Sequence, residues 1–126
     1  PAIPESILAI WDLVSHYPHP PEACLVNYYA ESAKMGLHQD RDEEDFAAPV
    51  VSISLGDTAV FRVGGTTRGG KTQSFKLASG DIVVLDGASR LAFHGIDRVI
   101  AGTSNLLKTG GRINLTLRRV TKPTVS

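Results

Sequence analysis

Apolar residues in the first fifteen positions follow the spacing of a helix with one buried face. The i, i+3, i+4, i+7 pattern is made by Ile7, Ile10, Trp11 and Val14. Pro4 suits the first turn of a helix, and the prolines at positions 18, 20 and 21 would end one. The sequence therefore predicts an amphipathic helix from Pro4 to Ser15.

Beyond Cys24 the apolar positions recur with a period of two, which is typical of strands. Seven to eight short strands are predicted, in the segments 24–29, 35–38, 49–55, 58–63, 74–77, 82–85, 99–106 and 112–120. The apolar run 82–85 predicts a strand buried on both sides, and Gly110-Gly111 predicts a hairpin between the last two strands. This pattern indicates a mainly β sandwich or barrel behind one helix.

Composition narrows the class of protein. The chain has 126 residues, 42% of them hydrophobic, which fits one globular domain. Lys+Arg and Asp+Glu are equal at 13 each, so there is no general basic excess of the kind that phosphate-binding proteins show. A single cysteine, Cys24, favours a reducing compartment, and no apolar run is long enough to span a membrane. A cytoplasmic monomer is predicted.

The stretch around His38 carries candidate metal ligands. His38 and Asp40 are two residues apart, so in an extended strand their side chains leave the same face. His94, far along the chain, could complete a 2-His-1-carboxylate set, which covers one face of an octahedral iron and leaves other positions open. A histidine between apolar neighbours is more often a core residue than a metal ligand, so spacing alone leaves its role open.

The last predicted strand alternates between two chemically different faces. Ile113, Leu115 and Leu117 share one face, and the other bears Arg112, Asn114, Thr116 and Arg118. If the polar face points inward, its arginines need an anion, and a dicarboxylate would fit because guanidinium groups bind carboxylates bidentately. An outward polar face is just as compatible with the alternation. Asn27 and Tyr29 likewise share one face of an earlier strand.

Seven segments together resemble the AlkB family of iron(II)- and 2-oxoglutarate-dependent dioxygenases, and their loops are most similar to those of its bacterial repair enzymes. They are Asn27-Tyr28-Tyr29, His38-Gln39-Asp40-Arg41-Asp42-Glu43, Val51-Ser52-Ile53-Ser54-Leu55-Gly56, Gly80-Asp81-Ile82-Val83-Val84, Ser89-Arg90-Leu91, Phe93-His94-Gly95-Ile96 and Arg112-Ile113-Asn114-Leu115-Thr116-Leu117-Arg118. The resemblance implies a double-stranded β-helix (jelly roll) with the N-terminal helix packed on it. It also implies that residues 1–126 form one catalytic domain that lacks the family's upstream nucleotide-recognition lid.

The same resemblance implies roles for ten residues. His38, Asp40 and His94 would bind Fe(II). The 2-oxoglutarate cosubstrate would be bound by Asn27, Tyr29, Arg112, Asn114 and Arg118. Within that set, the resemblance implies that Arg118 pairs with the carboxylate far from the metal and that Arg112 lies near the metal-binding end. Asp42 and Arg68 would contact the damaged base or its strand.

The implied activity is oxidative demethylation of N-alkylated nucleobases such as 1-methyladenine or 3-methylcytosine. The substrate would be single-stranded or duplex DNA, or RNA, and the reaction would use dioxygen and release succinate, carbon dioxide and formaldehyde. Two alternatives share parts of the pattern. One is a related 2-oxoglutarate oxygenase that acts on RNA or protein side chains, and the other is a metal-binding jelly roll without catalysis.

Overall fold

Two antiparallel sheets face each other in a computed structural model that describes residues 2–31, 33–41 and 46–121. The elements are α1 (Glu5–Val14), β1 (Ala23–Tyr29), β2 (Met35–His38), β3 (Val50–Gly56), β4 (Thr58–Val63), β5 (Gln73–Leu77), β6 (Ile82–Leu85), β7 (His94–Ile100) and β8 (Arg112–Arg118), with a short 3-10 turn at Gly87–Ser89. The first sheet has the order β1-β8-β3-β6 and the second has the order β2-β7-β4-β5. The predicted jelly roll is confirmed.

Helix α1 lies on the outer face of the first sheet, close to the predicted bounds. Its Trp11 is fully buried against Val51 of β3 and Leu117 of β8. The indole Nε1 donates to the carbonyl oxygen of His19 at 3.0 Å, so burial leaves this polar atom satisfied. Among the residues that the structure describes, no helix has the length and apolarity needed to cross a membrane.

The space between the sheets is apolar on one side and polar on the other. Phe61, Leu77 and Ile96 of the second sheet form an apolar cluster into which Val83 of β6 packs. Toward β1 and β8 the interior is instead lined by the buried residues Arg112, Asn114 and Thr116. The polar face of β8 therefore points inward and its apolar face lies under α1, which settles the question that the alternation left open.

The predicted strand 99–106 and the hairpin at Gly110-Gly111 are wrong. Strand β7 ends at Ile100 and pairs with β2 and β4, whereas β8 pairs with β1 and β3, so their connection crosses between the sheets. The buried carboxylate of Asp57 holds this connection by accepting from the backbone N–H groups of Thr103, Ser104 and Gly111. A glycine pair marks a turn but does not determine which strands pair across it.

Strand β6 departs in part from its prediction. It contacts both cores, because Val84 packs toward α1 and Val83 toward the cluster between the sheets. However, it is an edge strand, and Ile82 is 38% exposed. A continuous apolar run predicts cover on both faces, but it does not predict a second neighbouring strand.

Candidate active site

Pairing between β2 and β7 brings the candidate metal ligands together. His38 lies directly opposite His94 in the register, and Asp40 follows two residues after His38. The Nε2 atoms of His38 and His94 lie 3.8 Å and 3.3 Å from the carboxylate oxygens of Asp40. One ligand atom from each of the three residues lies within 4.8 Å of the others. Residues more than fifty positions apart thus converge on one point.

Backbone contacts orient both imidazole rings. The Nδ1 atom of His38 is 3.0 Å from the carbonyl oxygen of Gly36, and Nδ1 of His94 is 3.0 Å from that of Ala92. Because a carbonyl oxygen only accepts, Nδ1 carries the hydrogen and the Nε2 atoms are turned toward Asp40. Two imidazole nitrogens and one carboxylate form a donor set that fits Fe(II).

The carboxylate of Asp40 is buried yet surrounded by cationic or hydrogen-bonding groups. Its side chain is 5% exposed, and Nη2 of Arg118 donates to its Oδ1 at 3.1 Å. Burial by itself raises the pKa of Asp40, but the contact with the His94 ring and the charge of Arg118 outweigh burial and lower the pKa to about 2. Asp40 is therefore ionised at neutral pH and available as an anionic ligand.

A hydrogen-bonded polar network covers the inner face of β8. The Nη2 atom of Arg112 donates to Ser54 at 2.9 Å and to Asn114 Oδ1 at 3.1 Å. Asn114 also accepts from Ser52 at 2.6 Å and donates to Thr116 at 2.8 Å. Among the described residues no group accepts from the buried Nε of Arg112. A buried guanidinium with an unsatisfied donor suits an anionic ligand.

An open-mouthed cavity joins the candidate metal ligands to this network. The three candidate metal ligands and the five predicted cosubstrate residues all line this cavity. The cosubstrate residues are Asn27, Tyr29, Arg112, Asn114 and Arg118. Tyr29 lies under the Arg112 guanidinium, whose central carbon is 5.5 Å from the ring centroid.

The two arginines of β8 lie at the opposite ends of the cavity from those predicted. Arg118 contacts the candidate ligand Asp40, so it lies at the metal end of the cavity. Arg112 is 1% exposed and lies at the other end of β8, where it is opposite Tyr29 and Gly56 in the register. A seven-residue strand separates its terminal Cα atoms by about 20 Å. The predicted assignment of Arg118 to the far carboxylate and of Arg112 to the metal-binding end is therefore wrong.

Arg90 is a contributor to the site that residue patterns did not identify. This arginine is 2% exposed and donates to the carbonyl oxygens of Asp40 and Ala48, at 2.7 Å and 2.8 Å. It therefore links the backbone of a candidate ligand to the start of β3. The segment Ser89-Arg90-Leu91 carried part of the resemblance, but only the fold brings it against Asp40.

Gln39 is a second contributor that residue patterns did not identify. Its amide donates to the carbonyl oxygens of Leu91 and Thr66, at 2.8 Å and 3.1 Å. It connects the His38–Asp40 segment to the residues before His94 and to the glycine-rich loop 64–72. The available signals are its position between two candidate ligands and its place in a segment that carries the resemblance.

Of the two predicted substrate residues, Arg68 and Asp42, the structure describes only Arg68. Arg68 is exposed in loop 64–72. Its central guanidinium carbon is 4.6 Å from the centroid of the Phe93 ring. Its Nη1 atom is 3.5 Å from the carbonyl oxygen of Leu37. Phe93 directly precedes His94, so Arg68 lies at the rim of the site. Asp42 lies outside the described residues.

Comparison with known proteins agrees with this geometry. Residues 1–118 match the 2OG-Fe(II) oxygenase superfamily. The chain is 57% identical over 119 residues to the alpha-ketoglutarate-dependent dioxygenase AlkB homolog of Caulobacter vibrioides, which covers 94% of this chain and 54% of that protein. It is 39% identical over 109 residues to the DNA N(6)-methyladenine demethylase ALKBH1D of Arabidopsis thaliana, covering 78% of this chain and 24% of the relative.

Among solved structures, that of OsALKBH1 superposes with a TM-score of 0.80 at 37% identity, over 94% of this chain and 67% of that one. This chain and OsALKBH1 are therefore similar in sequence as well as in fold. The chain spans about half the length of the Caulobacter relative.

Proposed function

Because the chain belongs to the AlkB family of the 2OG-Fe(II) oxygenase superfamily, we propose that it removes N-methyl groups from nucleobases of DNA or RNA by oxidation. The observation that carries this proposal is the convergence of His38, Asp40 and His94 at one end of a cavity whose wall bears Arg112. A metal-binding module without catalysis has no need for the second feature. We propose one catalytic domain over residues 1–126, acting as a cytoplasmic monomer.

His38, Asp40 and His94 would hold Fe(II), and the bound metal would supply a redox centre with open positions for cosubstrate and dioxygen. The protein's own contribution is orientation. Backbone carbonyls fix the two rings, and Arg118 fixes the carboxylate, so the ligands need little rearrangement to bind the ion.

Two arginines would bind 2-oxoglutarate by its two carboxylates. Arg118, beside Asp40, would contact the carboxylate at the metal end, and Arg112 would bind the far carboxylate with its unsatisfied donor. Asn27, Tyr29 and Asn114 would supply further hydrogen bonds from the same wall. Burial lowers the pKa of Arg112, and a bound carboxylate would offset that desolvation.

The substrate base would reach the metal through the mouth of the cavity, after leaving its stack. Unstacking costs a few kcal/mol, and least for a damaged or unpaired base. Arg68 at the rim would contact the strand, and we propose the same for Asp42. Each methyl group lost would consume one 2-oxoglutarate and one dioxygen and would yield one succinate, one carbon dioxide and one formaldehyde, with hydrogen restored to the base nitrogen.

The test is mass spectrometry of single-stranded oligonucleotides that carry one 3-methylcytosine, in DNA and in RNA form, after incubation with iron(II), ascorbate and 2-oxoglutarate. We expect loss of the methyl group together with equimolar succinate, and no loss without 2-oxoglutarate or with Asp40→Asn. Succinate formation without loss of methyl from either oligonucleotide would contradict nucleobase demethylation and favour another substrate. Absence of both products would contradict the oxygenase assignment.

A further inference from the structure

The formal net charge of the chain is zero, but its cations are distributed unevenly along the sequence. The segment from Thr58 to Leu77 contains the four cations Arg62, Arg68, Lys71 and Lys76 and no acidic residue. This segment comprises β4, loop 64–72 and β5, which belong to the second sheet and the rim of the site. This segment, which has cations but no acidic residues, therefore lies in the second sheet and beside the cavity mouth.

The register places two of the chain's cations in one row on the outer face of the second sheet. Val60 of β4 lies opposite Lys76 of β5 on one side and opposite Arg98 of β7 on the other. Ala59 and Phe61 point into the core, so Val60 and its two partners face outward. Two strand spacings separate the Cα atoms of Lys76 and Arg98 by about 10 Å.

Both cations of this row are exposed and uncompensated. Lys76 and Arg98 are solvent-exposed, and within the described ranges neither forms an ion pair. Arg62 is different, because it forms a bidentate pair with Asp97, at 2.9 Å from Nη2 to Oδ2. The row thus offers two positive charges to a partner, whereas Arg62 is already neutralised.

The outer face of the first sheet is apolar, whereas that of the second sheet bears charged side chains. The first sheet turns apolar residues outward, and α1 covers them. The second sheet turns Lys76, Val60 and Arg98 outward, and no described helix lies over them. Toward the metal, the surface continues through Thr72, which Arg62 contacts at 3.4 Å, into loop 64–72 and Arg68 at the rim.

We propose that this outer face, with Lys76 and Arg98 at its centre, binds the phosphodiester backbone of the strand that flanks the target base. The inference rests on the proposed function, and it adds a contact surface several nucleotides away from the base itself. Phosphate contacts by exposed Lys and Arg give sequence-independent affinity and hold the strand in register. Such a surface would compensate for the absence of a general basic excess.

The experiment measures binding of unmodified single-stranded DNA of 3 and 25 nucleotides to the manganese-loaded protein over a salt series. Each phosphate contact adds about 0.7 to the slope of log K against log salt for a single strand. We expect the Lys76→Ala/Arg98→Ala double variant to lower that slope by about 1.4 for the 25-mer and to leave 3-mer binding unchanged. Manganese affinity checks that the variant's site is intact.

The matched control is Lys108→Ala, which removes another exposed lysine from the β7–β8 connection. The control should keep the wild-type slope, and the single variant Lys76→Ala should lose about half of the double variant's change. An unchanged slope in the double variant, or an equal fall in the control, would overturn the proposal. Equal displacement of the 25-mer by polyglutamate of matched charge would overturn its assignment to nucleic acid. The binding results can be interpreted even if the protein does not demethylate nucleobases. The experiment therefore tests backbone binding separately from the proposed activity.

Discussion

Arg118 donates from Nη2 to Oδ1 of Asp40 at 3.1 Å, and through this contact the last strand of the chain orients a candidate metal ligand that follows the second strand. The two residues are 78 positions apart. The same strand carries Arg112 at its other end, so one seven-residue element supports the metal centre and the deep end of the cavity.

We expect Arg118→Met to weaken metal binding by about 10- to 100-fold, because Asp40 loses the donor that orients it. Titration with Mn(II) in the absence of 2-oxoglutarate measures this directly. Arg119→Met is the control, since the neighbouring arginine instead donates to the carbonyl oxygen of Pro20. Equal metal affinities for Arg118→Met and the wild type would show that Asp40 needs no such support.

Arg112→Lys is expected to lower the affinity for 2-oxoglutarate by about tenfold or more, because an ammonium cannot reproduce the bidentate guanidinium contact. Calorimetric titration of the manganese-loaded protein is the measurement. The control is Arg62→Lys, which makes the same exchange in a half-exposed pair with Asp97. The role given to Arg112 fails if both variants bind the cosubstrate as the wild type does.

Arg90→Met should reduce both stability and metal affinity. It leaves the carbonyl oxygens of Asp40 and Ala48 without their donor, which costs about 1–3 kcal/mol for each buried acceptor. It also releases the backbone of Asp40. Urea unfolding and Mn(II) titration separate the two effects.

Leu117→Ala is the comparison for Arg90→Met, because it removes a fully buried side chain under α1 and should cost about 2–5 kcal/mol of unfolding free energy. We expect it to retain wild-type metal affinity in its folded state. If Arg90→Met behaves in the same way, Arg90 stabilises the fold and does not position Asp40.

Gly95→Ala is expected to disrupt the pairing that brings His38 opposite His94. A Cβ on Gly95 would lie 2.5 Å from the carbonyl oxygen of Met35 and 2.9 Å from the carbonyl carbon of Gly36, so the two strands would have to separate. Overpacking of this kind costs about 1–3 kcal/mol. Unfolding and metal titrations should both be affected.

Gly36→Ala provides the paired control, because a Cβ at Gly36 has nothing within 4 Å although it lies on the facing strand. It should fold and bind metal as the wild type does. A Gly95→Ala protein with unaltered stability would show that the strands can move apart without cost.

The sequence by itself determined the local elements and the chemical character of the site. Helical spacing predicted α1, because its apolar stripe has to be buried, and period-two alternation predicted most strands. The spacing of His38 and Asp40 placed both on one face, since side chains two apart in a strand share a face. Alternation also grouped Arg112, Asn114 and Arg118 on one side of β8. The resemblance then implied which metal and which cosubstrate these residues would bind.

Only the tertiary structure decided which face of β8 is inside, which end of it meets the metal, and which strands pair across the sandwich. Alternation defines the two faces of β8 but does not predict which of them points toward the second sheet. The reason is that the first sheet is covered on both sides, by α1 on one and by the second sheet on the other. The contacts of Arg118 with Asp40 and of Arg90 with the Asp40 backbone join residues 78 and 50 positions apart. Such contacts arise from packing between elements, so the local spacing of residues along the chain does not predict them.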